Sequence, residues 1–269
     1  MIGEVVAVFA GGLALAMGGL AFFQRDMIYH PGTERIDPAD AGVPEMVQVP
    51  IRTHDGFMVT GWYAPPRDRF QPTLVLFHGN AGTVANRAHK ARAYMNAGFG
   101  VLLAGYRGYG GNPGSPSEEG LYADARAAMG WLISRGVPEG QIVVYGESLG
   151  TGVAVQIGTE HPNLVAVVLE AAYTRLPELA PAYVLPGFAE MVMLDRYDNR
   201  AKVGQVKAPL LIMHGQQDGV VPVSMGRELK ERARMGVEAH FIAAAGHNDL
   251  YDHGAAAITV AFIRKQLEP

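Results

Sequence analysis

Cysteine is absent from the 269 residues. That excludes a disulfide framework, a thiolate metal site, a cysteine nucleophile and c-type haem attachment, and leaves the redox compartment open. Charge is sparse: charged residues are 18% of the chain, the net charge is −4, and no basic tract occurs. Nucleic acid is therefore not an expected partner. Also missing are a phosphate loop of the Gly-x4-Gly-Lys-Ser/Thr kind and a strict Gly-x-Gly-x-x-Gly after a strand. No His/Asp/Glu spacing suits a metal. No cofactor and no metal are expected. Apolar residues, by contrast, make up 49%, enough for the core of one large α/β domain and too many for a disordered chain.

The longest apolar run is VVAVFAGGLALAMGGLAFF, nineteen uncharged residues from Val5 to Phe23. As a helix it would extend roughly 28 Å, close to the hydrocarbon thickness of a bilayer. A cleaved signal peptide would start with positive charge and end in small residues. Here only Glu4 is charged before the run, and Phe22 and Phe23 close it. Residues 1–25 are expected to be an uncleaved anchor helix, making the membrane a partner. Arg25 and Arg35 are too few to fix the side of the membrane. Gly11-Gly12 and Gly18-Gly19 would let two such helices pack closely, so a homo-oligomer through the anchor is a further expectation.

Residues 26–45 read as a linker and 46–269 as the catalytic domain. Met46–Thr53 and Met58–Ala64 flank an Asp-Gly turn, a hairpin signal. Non-alternating apolar runs follow at Leu74–His78, Gly100–Gly105, Ile142–Tyr145, Val165–Leu169, Leu210–His214 and His240–Ala243, as parallel strands buried on both faces require. Between them 83–97, 121–135, 149–160, 223–235 and 250–267 read as helices, with Ser117, Glu118 and Glu119 suited to the start of the second. The fold class is α/β, a mostly parallel central sheet flanked by helices. Residues 173–206 break the alternation. They carry Leu176, Leu179, Tyr183, Val184, Leu185, Phe188, Met191, Met193 and Leu194, too apolar for a solvated loop, and are read as a small packing lid.

The chemistry gathers at strand ends. Ile142–Tyr145 runs into Gly146-Glu147-Ser148-Leu149-Gly150 and then a helix. Gly-x-Ser-x-Gly in strand–turn–helix context lifts a strained serine to a helix N-terminus, where developing negative charge is favoured. A serine hydroxyl needs a base. His247, in the loop Ala245–Asp249 after the last strand, can reach back over the sheet. Asp218, in the turn after Leu210–Gly215, precedes it in the order serine, aspartate, histidine. Glu170, ending the preceding strand, is a rival acid. Asp249 reads as a cap of the last helix and His214 as a turn-shaping residue. The oxyanion of acyl transfer needs two backbone donors: Leu149 supplies one, and Asn80, in the loop His78–Gly82, the other.

His78–Gly82 (HGNAG), Tyr106–Gly110 (YRGYG), Ser115–Asp124 (SPSEEGLYAD), Gly146–Gly150 (GESLG), His214–Asp218 (HGQQD) with Val221-Pro222, and Gly246–Asp249 (GHND) together resemble the α/β-hydrolase superfamily. Within it the chain is similar to the membrane-anchored α/β-hydrolase-domain proteins, the bud-emergence-type and depalmitoylase-related serine hydrolases. The resemblance runs from about residue 45 to the end. It implies the α/β-hydrolase fold, Ser148 as nucleophile, Asp218 as acid, His247 as base, and Asn80 and Leu149 as oxyanion donors, with Tyr106 and Arg107 structural. The depalmitoylating branch attaches lipid through an N-terminal cysteine cluster, and this chain departs from it there.

The reading is a serine esterase acting through an acyl-enzyme on a small-molecule ester or lipid. A peptidase, amidase or thioesterase on the same triad is the alternative within enzymes, and a non-catalytic, hydrolase-like membrane binding protein the alternative outside them.

Overall fold

The computed structural model describes residues 18–19, 22–180, 188–234 and 236–268. Among the described residues eight strands form the main sheet: β1 (Val47–Arg52), β2 (Met58–Ala64), β3 (Thr73–Phe77), β4 (Gly100–Leu103), β5 (Ile142–Glu147), β6 (Ala166–Glu170), β7 (Leu210–Gly215) and β8 (Glu238–Ile242). Their spatial order is β1-β2-β4-β3-β5-β6-β7-β8. Only β2 runs against its neighbours, so the apolar runs after it form one parallel block. Every residue of β3, β4, β6 and β7 is buried, which is why these strands do not alternate in sequence.

Successive side chains of a strand point to opposite faces, and the core divides accordingly. Val75, Phe77, Val144, Leu169 and Ile212 pack on one face, against helices α2 (Glu118–Ser134), α3 (Gly150–Glu160) and α4 (Val223–Arg232). Leu74, Leu76, Val143, Tyr145 and Val168 pack on the other, against α1 (Ala88–Asn96) and α5 (Ala255–Leu267). The start of α2 follows the sequence reading, because the Ser117 side chain accepts the Gly120 N–H at 3.1 Å. The expected helix 250–267 divides at Gly254, whose φ of 88° is left-handed; a 3-10 turn, Leu250–His253, precedes it.

Residues 26–45, read as a linker, are packed onto the domain. Tyr29 and Val43 are buried, and His30–Pro31 pairs in parallel with Ala81–Gly82. Most of the expected anchor (1–17, 20 and 21, with Gly11 and Gly12) lies outside the described residues, as do Tyr183, Val184 and Leu185 of the expected lid. Among the described residues no helix is long and apolar enough to cross a membrane. Residues 22–28 are helical. Within 173–206 the described elements are short: a 3-10 turn at Leu176–Leu179 and helices at Phe188–Val192 and Asn199–Lys202.

Candidate active site

The turn from β5 into α3 is tight enough that only glycine fits on either side of it. A Cβ on Gly146 would lie 2.4 Å from the Gly150 carbonyl oxygen, and one on Gly150 would lie 2.0 Å from the Phe77 carbonyl oxygen. Between them Ser148 takes a φ of 50°, a conformation that costs a non-glycine residue of order 1–3 kcal/mol and is held by its surroundings. Its N–H donates to the Glu170 carbonyl at 2.9 Å. The Thr151 hydroxyl donates to the Ser148 carbonyl at 2.7 Å.

The loop after β8 brings His247 over this turn. His247 Nε2 is 3.0 Å from Ser148 Oγ, and His247 Nδ1 is 2.7 Å from Asp218 Oδ2. Asp218 Oδ1 accepts the N–H groups of Val220 and Val221, each at 2.8 Å. Burial alone would raise the Asp218 pKa, but hydrogen bonds from His214, His247 and the Val221 N–H outweigh it and hold the carboxyl well below its ordinary range. An ionised carboxylate only accepts, so Nδ1 carries the imidazole proton and Nε2 faces the serine as an acceptor.

His214, completely buried, places Nε2 2.9 Å from the Val221 carbonyl and 3.3 Å from Asp218 Oδ2; it shapes the acid turn, as its sequence context suggested. Asp249 behaves differently from the sequence reading. It does not cap the following helix; its Oδ1 accepts the Gly246 N–H at 2.7 Å, tightening the loop that carries His247. The local chain reverses within three residues there, so the carboxylate finds a donor behind it.

Asn80 and Leu149 meet beside Ser148 in one cavity of about 330 Å³. Among the described residues neither backbone N–H is engaged by another group, as oxyanion donors must be. The Asn80 side chain is occupied, its Nδ2 donating to the Ile28 carbonyl at 3.0 Å, and the Asn80 backbone carbonyl accepts the Tyr109 hydroxyl at 2.8 Å. Leu176, Leu179, Ala189 and Met193 line the cavity from the 173–206 side, and Val220 and Val221 from the acid turn. His78 lies beneath, wholly buried. Burial lowers its pKa to about 3, and its Nδ1 donates to the Gly79 carbonyl at 2.8 Å. Arg107 is fixed by Asp124 at 2.8 Å and Asp55 at 2.7 Å, away from the serine.

Glu170, the rival acid, is turned from His247. It belongs to a buried charge cluster that sequence reasoning missed. Lys90 Nζ is 2.6 Å from Glu170 and 2.8 Å from Glu147, the residue before the serine. Arg87 is 2.6 Å from the other oxygen of Glu147. Burial would raise the Glu147 pKa, yet Lys90 and Arg87 outweigh it and keep the group ionised far into acid. Tyr145 donates to Glu170. Tyr251, four residues past His247, donates to Tyr145 at 3.3 Å, shares a 2.6 Å hydrogen bond with Tyr94, and sets its ring 4.6 Å from Lys90 Nζ. The β5–α3 turn that carries Ser148, an elbow in the chain, and the histidine loop therefore stand on one network.

A family model described as serine aminopeptidase, S33, matches residues 68–197. An uncharacterized protein of Mycobacterium tuberculosis, Rv2307c, is 37% identical over 88% of this chain and 86% of its own. Human alpha/beta hydrolase domain-containing protein 17B is 30% identical over 76% of this chain and 69% of its own. Among solved structures, the Pyrococcus furiosus esterase Pf2001 superposes with a TM-score of 0.68 at 20% identity, over 88% of this chain and 98% of the esterase.

Proposed function

The chain belongs to the α/β-hydrolase family, and on that premise we propose that it is a serine hydrolase of carboxylic esters. Ser148 attacks the acyl carbonyl while His247 takes the hydroxyl proton. The N–H groups of Asn80 and Leu149 receive the oxyanion. His247 then protonates the leaving alcohol, and Asp218 orients the imidazole and stabilises its charged form. Water deprotonated by His247 releases the acid and regenerates Ser148. The observation that carries this reading is the unbroken chain from Ser148 Oγ to His247 at 3.0 Å and from His247 to Asp218 at 2.7 Å, opening on a cavity.

Leu176, Leu179, Ala189 and Met193 give the cavity the apolar lining an acyl chain needs, so the 173–206 segment acts as a small lid over it. The uncharged run Val5–Phe23 would keep the enzyme at a membrane, near lipid esters. A peptidase or amidase would use the same groups, and the description of the matching family model as a serine aminopeptidase makes the leaving group the point to test. The assay is hydrolysis of p-nitrophenyl esters of graded acyl length and of the matching anilides, wild type beside Ser148→Ala, with fluorophosphonate labelling of the serine. Ester turnover lost in the variant supports the proposal; turnover of anilides alone assigns an amidase. A protein neither active nor labelled is a binding protein.

A further inference from the structure

Gln24, Met27 and Ile28 line the same cavity as Ser148, although they lie far from it in sequence and directly follow the apolar run. This short stretch is held from two sides. On one, it is tied to the loop that carries the Asn80 N–H: Asn80 Nδ2 donates to the Ile28 carbonyl at 3.0 Å, and the His30 N–H donates to the Asn80 carbonyl at 2.9 Å. On the other, it is tied to the segment that closes the cavity. Gln24 Nε2 donates to the Val192 carbonyl at 3.5 Å, and Gln24 Oε1 accepts the Leu194 N–H at 2.6 Å.

Asp195 is the centre of the second attachment. It is 3% exposed. Its Oδ2 accepts from Arg25 Nε and from the Tyr29 hydroxyl, both at 3.0 Å, and its Oδ1 accepts the Glu118 N–H at 3.1 Å. Tyr29 and Tyr197 share a further bond of 2.9 Å. A buried carboxylate is tolerated only when it is so fully satisfied, and the donors here come from two separate parts of the chain, residues 25–29 and the start of α2. None of these bonds touches Ser148, Asp218 or His247. Their effect is to fix one wall of the cavity against the other.

We propose that residues 24–28 form a wall of the acyl-binding cavity and that Asp195 is the positioning residue that sets it, so acyl-length selectivity depends on this N-terminal stretch. The proposal rests on the ester-hydrolase reading. A short acyl group sits at Ser148 without reaching the wall; a longer one gains about fourfold in binding for each methylene it buries against it. Loosening the wall by two methylenes' worth of contact costs long esters roughly fifteenfold in KM and leaves acetyl transfer as it was.

The experiment uses the full chain in detergent, with p-nitrophenyl esters from acetyl to palmitoyl, kcat and KM determined separately, and the rate of Ser148 labelling by a small fluorophosphonate. Asp195→Asn keeps the shape and removes the charge, and Arg25→Ala removes the partner at a half-exposed position. Both are expected to raise KM for octanoyl and longer esters about fifteenfold, with acetyl kcat changed less than about twofold. Met27→Trp, at another exposed position, should move the preferred acyl length downward. If Asp195→Asn fails to fold, the other two variants decide. A profile that keeps its shape in every variant overturns the proposal while leaving a labelled, active serine in place. A wild type that is neither labelled nor active overturns the hydrolase reading, and the proposal with it.

Discussion

Lys90 is the side chain whose removal says most about the support beneath Ser148. In Lys90→Met the stem volume is retained and the two carboxylates lose a shared cation. Glu147 keeps Arg87, at 2.6 Å. Glu170, 2% exposed, keeps the Tyr145 hydroxyl but no positive charge. One buried carboxylate is thus left unpaired, a change that usually costs about 3–5 kcal/mol. Lys90→Met should therefore lose roughly 3–5 kcal/mol, or some 6–20 °C in Tm. Lys90→Met with Glu170→Gln should regain most of the loss, because a neutral amide leaves no buried charge to pair. Urea unfolding followed by circular dichroism provides the measurement. A double variant no better than the single would refute the assignment of the cost to an unpaired Glu170.

Other outcomes follow from the same geometry. Ser148→Ala or His247→Ala should lower ester kcat by roughly 10⁶-fold and Asp218→Asn by about 10⁴-fold, measured with p-nitrophenyl esters. Gly150→Ala places a methyl 2.0 Å from the Phe77 carbonyl, so it should cost at least 1–3 kcal/mol in unfolding experiments and displace Ser148 enough to lower kcat. Folding depresses both Asp218 and Glu147. Their contribution to stability is full above the ordinary carboxylate range, near pH 4, and is lost as pH falls below it. A pH series of unfolding midpoints should therefore drop steeply in acid, and Glu147→Gln should flatten that drop.

The parallel block was legible because strands buried on both faces can be written only with long apolar runs, and the glycines of the elbow because sharp turns admit little else. Ser148, Asp218 and His247 stood out by their places at strand ends, and the fold brings them within hydrogen-bonding distance. What stayed hidden depends on distant partners. Lys90 and Arg87 resemble ordinary surface charges of a helix, and Glu147 resembles a filler between Gly146 and Ser148; only pairing across 57 to 80 residues reveals that they neutralise one another. Asp195 and Tyr29 gave no local sign for the same reason, since 166 residues separate them. Asp249 was misread because a helix start and a loop reversal both call for an aspartate, and the choice rests on which backbone donor is nearer.

The shared network beneath the elbow and the histidine loop bears on how this protein should wear out. Tyr251 follows His247 closely, and its hydroxyl meets Tyr145, which donates to the same Glu170 that Lys90 joins to Glu147. The spacing between Ser148 and His247 is therefore a dimension of the core and not of two independent surface loops. Loss of turnover on heating should therefore track the unfolding of the core, and the temperature at which ester hydrolysis disappears is expected to match the unfolding midpoint.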